Sequence, residues 1–442
     1  MAHYVPHTDE EFAQMLADLG LSGPEELFSS VPEALRLAGG LDLPDGLSEV
    51  DVAAEMARLA GANRASGKLV CFAGGGAYDH DVPSVTRALA GRSEFVTSYT
   101  PYQPEVAQGV LQVLFEYQTL VSRLAGLPVA NASVYDGATA VVEAANLAVA
   151  ATGRRTVWVS EGVNPRWREV LATLTGGRGT EISTVPLVDG VTAWERAKGG
   201  PPAALIVASP NYLGCIDPVG AARAVASGAG ALLAVAFDPV AAGLLRSPGE
   251  QGADVAVAEG QPLGVPMSFG GPYLGMMAVS QAHVRRLPGR LVGRSLDTEG
   301  RAAYVTTLRA REQDIRRERA SSNICTNQTL IALMAMVQLA WLGTAGLRDL
   351  ALRCARGTRY LREGVLALPG VEPLVAAPVV REFAVGLPVG PEVVAERMAD
   401  AGFLAGIPVE AGGREGLLVA VTEKRTRADL DGYVEALEKA IS

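Results

Sequence analysis

The sequence predicts an α/β protein whose large domain is built on a mostly parallel sheet. Short apolar runs alternate with helical stretches between residues 66 and 340, for example TVWVS (156–160), ALIVASP (204–210) and LLAVAFDP (232–239). Fully apolar strands separated by helices are typical of parallel sheets that are covered on both faces. A chain of 442 residues is also too long for one compact unit, which favours two or three domains.

Two smaller regions flank the large domain. Residues 1–65 predict a helical N-terminal arm, because Thr8 and Glu11 form a capping-box pattern before apolar residues at helical spacing. Residues 341–442 predict a small α+β C-terminal domain. Its expected strands are EFAVGLP (382–388) and GLLVAVTE (416–423), and its expected helices are VVAERMADAGF (393–403) and DLDGYVEALEKA (429–440).

Composition narrows the function classes. A net charge of −10 with no basic stripe disfavours nucleic-acid binding. The apolar runs are interrupted and the N-terminus lacks a signal-peptide pattern, so we expect neither a membrane protein nor a secreted one. The four cysteines show no CxxC motif and the four histidines no metal-ligand spacing, which predicts reduced thiols, a cytoplasmic protein and no metal centre.

The stretch that ends at Gln261 resembles one half of a cofactor pocket. The run LLAVAFDP delivers Asp238 at its end, where a carboxylate could face the pyridine nitrogen of pyridoxal phosphate and keep it protonated. In enzymes that use this cofactor, the next apolar run and turn usually carry the Schiff-base lysine. Here the slot holds Gln261, whose amide cannot form an imine. A turn at the strand end is the simpler explanation of Asp238.

No other lysine supplies the missing amine. The chain contains only four lysines, which are Lys68, Lys198, Lys424 and Lys439. The first precedes the predicted sheet, the second lies in a polar helix, and the last two belong to the C-terminal domain. The pocket is therefore predicted to be degenerate.

The segment NASVYDGATA (131–140) could form the phosphate end of such a pocket. Gly137 and Thr139 lie where a helix begins, and backbone N–H groups at a helix N-terminus bind phosphate. An ordinary capped helix, with Asp136 or Ser133 as its cap, explains the same residues. The glycine-rich CFAGGGAYDH (71–80) is weak evidence for phosphate binding.

Polar aromatic residues mark a candidate binding loop in TSYTPYQPEVAQG (97–109). This loop contributes Ser98, Tyr99, Tyr102 and Gln103. Exposed polar aromatics on a proline-bounded loop often serve binding, although packing at an interface would use the same residues. The segment SSNICTNQTL (321–330) opens a long apolar helix, so helix capping explains part of its polarity.

These motifs together resemble one family. FAGGGAYDHDVPSV, TSYTPYQPEVAQGVLQ, SPNYLGCIDP, SFGGPYLG and SSNICTNQTL are similar to the glycine decarboxylase family, the P-protein of the glycine cleavage system, in its N-terminal half or subunit 1. The resemblance runs from about residue 64 to the end of the chain. It implies the fold of the aspartate-aminotransferase-like enzymes (fold type I) that use pyridoxal phosphate.

The resemblance also implies a division of labour. The family decarboxylates glycine with pyridoxal phosphate and passes the aminomethyl group to the lipoyl arm of H-protein. Its lysine lies in the homologous second half or in a separate subunit 2, so the cofactor would be bound covalently by the partner and an α2β2 tetramer is expected. Gln261 then marks the equivalent slot in this chain.

Two segments are the best candidates to complete the partner's site. One is the loop that contains Ser98, Tyr99, Tyr102 and Gln103, and the other consists of Ser268, Phe269, Gly270 and Gly271. Backbone N–H groups of the second could reach the partner's cofactor phosphate. Two alternatives remain open: a non-catalytic scaffold that docks H-protein, and a self-sufficient enzyme using pyridoxal phosphate, against which the missing lysine argues.

Overall fold

The computed structural model describes residues 6–37, 39, 41–64, 66–97, 100–309, 313–320 and 322–442. The chain divides into two compact units, residues 1–64 and residues 65–442.

The first unit is helical and has no buried core. Its α-helices are Asp9–Asp18 and Glu49–Gly61, with 3-10 turns at Pro24–Phe28 and Glu33–Leu35. Thr8 accepts a hydrogen bond from the backbone of Glu11, whose carboxylate bonds back to the Thr8 N–H, so the predicted capping box is confirmed. None of the described residues of this unit is buried.

A seven-stranded sheet organises the second unit. In chain order its strands are β1 (Val129–Ala130), β2 (Thr156–Ser160), β3 (Glu181–Val185), β4 (Pro202–Ser209), β5 (Leu232–Phe237), β6 (Val255–Glu259) and β7 (Gly275–Val279). They lie in the order β1-β7-β6-β5-β4-β2-β3. Strands β2 to β6 pair in parallel, whereas β7 pairs antiparallel with both β6 and β1. The predicted, mostly parallel sheet is confirmed.

Both faces of this sheet are buried, as its apolar strands predict. In β4, Ala204 and Ile206 belong to the core on one face, while Leu205 and Val207 belong to the core on the other. Successive side chains of a strand point to opposite faces. In the central strands β4, β5 and β6, polar groups are therefore confined to the strand ends.

Up to residue 229, the α-helices of this unit precede the first strand of the large sheet or lie between some of its strands. Around the large sheet they are Ser84–Ala90, Ser93–Val96, Gln108–Ala125, Gly137–Thr152, Pro165–Gly176 and Val219–Ala229. Short pairings of strands lie outside it: Leu187–Val188 with Val191–Thr192, Leu291–Leu296 with Ala302–Thr307, and Val70–Cys71 with Phe403–Leu404. A short helix, Gln313–Arg316, follows the second of these pairings.

The C-terminal region has a small antiparallel sheet covered by helices. Its strands are Glu372–Pro373, Glu382–Gly386, Arg414–Ala420 and Ile407–Ala411, in that spatial order. Its helices are Pro391–Asp400 and Arg427–Ile441. The strands and helices expected here from the sequence are present, with ends shifted by at most three residues.

One long helix, Thr329–Leu366, joins the large sheet to the small one. Its backbone is interrupted at Gly343, where φ is 59°. By length and composition alone it could cross a membrane, a property that buried helices share. Ile331 and Leu347 on this helix pack in the core beside the large sheet, and Leu361 packs in that of the small sheet. The domain boundary expected at residue 340 falls within it and stays a prediction.

Candidate functional site

Asp238 lies just beyond the carboxyl end of β5, and the chain itself engages both of its oxygens. One oxygen accepts hydrogen bonds from the backbone N–H groups of Val240 at 2.8 Å and Ala241 at 3.2 Å. The other forms an ion pair with Nε of Arg381, although that N–H is not aligned for a hydrogen bond. Asp238 therefore holds the turn after its strand and also neutralises an arginine.

Arg381 comes from the C-terminal region and is only 4% exposed. Its guanidinium carbon lies 3.5 Å from the centre of the Tyr78 ring, and its Nη1 lies 2.5 Å from Nε2 of His80. Burial lowers the pKa of Arg381, but the Asp238 carboxylate raises it, and the net shift is upward. A permanent positive charge thus lies over the strand ends, already paired.

His80 continues this network toward Glu423. Its Nδ1 lies 2.6 Å from a carboxylate oxygen of Glu423. The guanidinium of Arg381 can only donate a hydrogen bond, so Nε2 of His80 accepts it. Nδ1 therefore carries the ring proton and donates a hydrogen bond to Glu423. The possible ligand atoms of His80, Cys354 and Glu423 lie within 4.8 Å of one another. This tautomer, however, leaves His80 no lone pair to offer a metal.

Gln261 is fully buried and fastens the glycine-rich turn to the end of the sheet. Its Oε1 accepts a hydrogen bond from the Tyr78 N–H at 2.9 Å, and its Nε2 donates to the carbonyl oxygens of Tyr78 at 3.0 Å and Val265 at 2.8 Å. Glu382 holds the same turn by accepting from the Gly75 N–H and the Tyr78 hydroxyl, both at 2.6 Å. The side chain at the predicted lysine slot is therefore a structural clamp.

Glu259, the last residue of β6, occupies the N-terminus of the helix Gly137–Thr152. Its carboxylate accepts three backbone hydrogen bonds at 2.9 Å each, from Gly137, Gln261 and Leu274. Burial raises the pKa of Glu259 to about 7, while those three hydrogen bonds act to lower it. A carboxylate of the chain itself thus lies where an anion would bind a helix N-terminus.

The remaining residues of the predicted phosphate turn serve the fold. Asp136 caps the helix by accepting from the Thr139 N–H at 2.7 Å, which favours the capping explanation of this segment. Ser133 is buried with a φ of 111°, and its hydroxyl oxygen accepts from the Gln328 N–H at 3.1 Å. The structure therefore brings Gly137 to the strand ends beside Glu259 and uses Ser133 to anchor the segment before the long helix.

Little space remains between these groups. A cavity of about 80 Å³ is lined by Tyr78, Trp167, Asp238, Glu259 and Arg381, among others. Pockets for small molecules usually measure about 300–1,000 Å³. Pyridoxal phosphate needs a free anion cradle, a free carboxylate for its ring nitrogen and a lysine. Each position is occupied by another interaction or another residue, so this pocket does not fit the cofactor.

The two candidate interface segments differ from the pocket in being exposed. Tyr102 is 50% exposed, with the guanidinium of Arg290 4.7 Å from its ring centre, and Gln103 is exposed beside it. Phe269 is fully exposed and has a φ of 39°, which is rare for a residue with a side chain. Its neighbours Ser268 and Gly270 are exposed and Gly271 is partly so. Ser98 and Tyr99 lie outside the described residues.

Sequence reasoning missed the two charged groups that decide the character of the pocket. Glu259 lies two residues before Gln261 in the sequence, but its role depends on the distant Gly137 N–H. Arg381 immediately precedes a strand predicted from EFAVGLP, and that position was the only signal. Both pairings join residues more than a hundred positions apart, which no local pattern reveals.

Comparison with known proteins gives a consistent result along the whole chain. The family model described as glycine cleavage system P-protein matches residues 2–437. A probable glycine dehydrogenase (decarboxylating) subunit 1 of Moorella thermoacetica is 48% identical, with 98% of each chain covered. The protein of the same description from Prosthecochloris aestuarii is 47% identical, with 98% of this chain and 99% of that one covered.

Solved structures agree on the fold. A crystal structure of glycine decarboxylase (P-protein) of the glycine cleavage system, in inhibitor-bound form, is 46% identical with a TM-score of 0.90, and covers 99% of this chain and 100% of that one. A sphingosine-1-phosphate lyase of Burkholderia pseudomallei is 16% identical with a TM-score of 0.62, covers 93% of this chain and 94% of that one, and shows the fold alone. The predicted fold type I architecture is confirmed, and the chain belongs to the glycine cleavage system P-protein family.

Proposed function

We propose that this chain is the subunit of glycine decarboxylase that does not carry the lysine. It acts with subunit 2 to decarboxylate glycine and to transfer the aminomethyl group to the lipoyl arm of H-protein. The observation that carries the proposal is that Gln261, at the predicted lysine slot, uses its amide in hydrogen bonds to the backbone of Tyr78 and Val265.

The cofactor then belongs to the partner. Pyridoxal phosphate, bound covalently by subunit 2, would supply the electron sink for decarboxylation. This chain would contribute walls of that site, exclude water and orient the bound substrate. The exposed Tyr102, Gln103 and Phe269 support such a role, because they project outward and are not absorbed into the core of their own chain.

An α2β2 tetramer in the cytoplasm is the assembly we propose. The names of the relatives, which specify a subunit 1, support a second subunit. The reaction requires glycine and lipoylated H-protein as further partners. Neither a membrane nor nucleic acid has a role in this proposal.

Cofactor mapping tests the proposal directly. Pyridoxal phosphate is titrated into this chain with and without subunit 2, followed by borohydride reduction and peptide mapping. We expect an imine absorbance band only when subunit 2 is present, and a label only on its peptides. A label on Lys68, Lys198, Lys424 or Lys439 would show that this chain binds the cofactor itself.

The same mixture separates a catalytic subunit from a scaffold. If substitutions at Tyr102 and Gln103 abolish glycine turnover while the complex stays assembled, these residues serve the site. If turnover is lost only to the extent that assembly is lost, the chain is a scaffold for subunit 2.

A further inference from the structure

We infer that Glu259, more than the absent lysine, is what closes this chain's own pocket to pyridoxal phosphate. Its carboxylate is a tethered occupant of the cradle where the fold would receive the cofactor's phosphate. This inference deepens the proposed function, on which it rests for the identity of the cofactor.

The first step is the geometry of the cradle. The N–H of Gly137, the first residue of the helix, donates to Glu259 at 2.9 Å, and the N–H groups of Gln261 and Leu274 complete the ring of donors. A β-carbon added at Gly137 would lie 2.4 Å from the Trp167 side chain and 3.1 Å from the β-carbon of Glu259. The three donors form the kind of backbone nest that binds an oxyanion, and the missing side chain at Gly137 lets Trp167 and Glu259 pack directly against it.

The second step is charge. The carboxyl of Glu259 takes up the three N–H groups, and above pH 7, where most of it is ionised, it also repels a second anion. Repulsion between two like charges about 4 Å apart, at an effective dielectric of about 20, weakens the binding of the second anion by about a thousandfold compared with an empty nest. A phosphate monoester therefore cannot bind unless Glu259 leaves, and its buried side chain is held at the end of β6.

The third step compares the two defects. A missing lysine removes the covalent bond, but that bond forms only after the cofactor has been held by its phosphate. Glu259 removes the holding step. Arg381, through its ion pair with Asp238, adds a smaller obstacle at the ring end of the pocket. Gln261→Lys alone, which restores an amine at this position, is accordingly expected not to increase the binding of pyridoxal phosphate.

The test uses the full-length chain and compares pyridoxal phosphate with pyridoxal, which lacks the phosphate. At about pH 8, where most of Glu259 is ionised, Glu259→Ser should bind pyridoxal phosphate at least about 100-fold more tightly than the wild-type chain, with no gain for pyridoxal. Gln261→Lys alone should show no gain, and the double variant should form an imine that borohydride fixes at position 261. Binding is followed by equilibrium dialysis and by absorbance.

The matched control is Glu143→Ser. Glu143 is another buried glutamate, 3% exposed, whose pKa is also raised by burial. It lies within the helix Gly137–Thr152 and accepts a hydrogen bond from Asn146, away from the three N–H groups of the cradle. This variant should gain nothing. Glu259→Ala, which also empties the nest, provides a second variant should the serine variant fail to fold.

Specific results would overturn the inference. They are tight binding of pyridoxal phosphate to Gln261→Lys alone, equal gains for pyridoxal and its phosphate, or folded Glu259 variants that bind no better than wild type. In the complex with subunit 2, the Glu259→Ser/Gln261→Lys variant should raise the cofactor bound per tetramer. If no complex forms, the proposed function fails, while the full-length chain alone still tests the inference.

Discussion

The closed pocket and the exposed loops of this chain differ in how completely their polar and aromatic groups are satisfied. In the pocket, Gln261, Glu259 and Asp238 are all engaged by groups of the same chain. In the loops, Phe269 and Gln103 face outward with large exposed fractions. Binding residues that a chain satisfies internally serve its fold, whereas those left exposed are available to another molecule.

This contrast can be tested by its effects on stability. Substitutions in the pocket should destabilise this chain, and substitutions in the loops should leave its stability unchanged while impairing the assembled enzyme. The expected effects on the free energy of unfolding fall from the ion pair, through Glu259 and Gln261, to the loops.

The largest effect is expected for Asp238→Ala. This change leaves the guanidinium of Arg381 buried without its counter-ion, at a position where both side chains are almost inaccessible. Removing one partner of a buried pair typically costs about 3–5 kcal/mol. Denaturant unfolding measures the loss. The control is Glu169→Gln, which breaks the exposed pair with Arg166 and should have little effect; equal effects of the two substitutions would contradict the burial argument.

Glu259 should make stability depend on pH. Its pKa is raised from 4.5 to about 7 in the folded state, so the folded protein binds the proton more tightly than the unfolded chain. The stabilisation is fully present below pH 4.5 and is lost as the pH rises through 7, by about 3 kcal/mol in total. The nearby Asp136 raises this pKa further. Burial, together with the charge of Glu259, raises the pKa of Tyr117 and of Tyr273.

The measurement is the unfolding free energy at about pH 5 and about pH 8 for the wild type and for Glu259→Gln. Other buried carboxyls contribute to both proteins, so the difference between the two slopes isolates Glu259. We expect the variant to have the flatter profile. Identical slopes would show that Glu259 does not titrate in this range.

Gln261→Ala should cost less than these charged groups. The substitution removes hydrogen bonds to the N–H and C=O of Tyr78 and to the C=O of Val265. Leaving buried backbone groups unsatisfied costs about 1–3 kcal/mol. Gln112→Ala, which loses only an exposed contact with Glu116, is the control. The glycine-rich turn should also exchange its amide hydrogens faster, and unchanged exchange would argue against a clamp.

The sequence predicted the frame of the molecule better than the state of its pocket. The strands around residues 156–160, 204–209 and 232–237 were visible because continuous apolar runs fit a sheet buried on both faces. The strand Glu181–Val185 was missed, because it lies at the sheet edge, is largely polar and so forms no continuous apolar run.

The pocket was harder to predict because its state depends on pairs that are distant in sequence. Asp238 and Gln261 were identified by position, but the ion pair with Arg381 and the clamp on Tyr78 join different regions of the chain. A pattern of residue types shows which groups could meet a ligand. It does not show that another side chain of the same protein already meets them.

The smallest effect on this chain is expected for Phe269→Ala. A fully exposed side chain contributes little to its own fold, so the unfolding free energy should change by less than about 0.5 kcal/mol. Together with subunit 2 the expected effect is large. If the Ser268–Gly271 segment forms part of the partner's site, a small displacement there lowers turnover by up to about 100-fold.

The control for Phe269 is Leu296→Ala, which truncates another exposed apolar side chain, 67% exposed, at the end of a hairpin strand. Glycine turnover and the affinity for subunit 2 are measured for both variants. A loss of turnover with assembly intact places Phe269 at the shared site, and a loss of assembly places it in the interface outside that site. If neither changes, the exposure of Phe269 has no connection with the partner. The contrast between a closed pocket and loops available to subunit 2 would then be wrong at its most exposed residue.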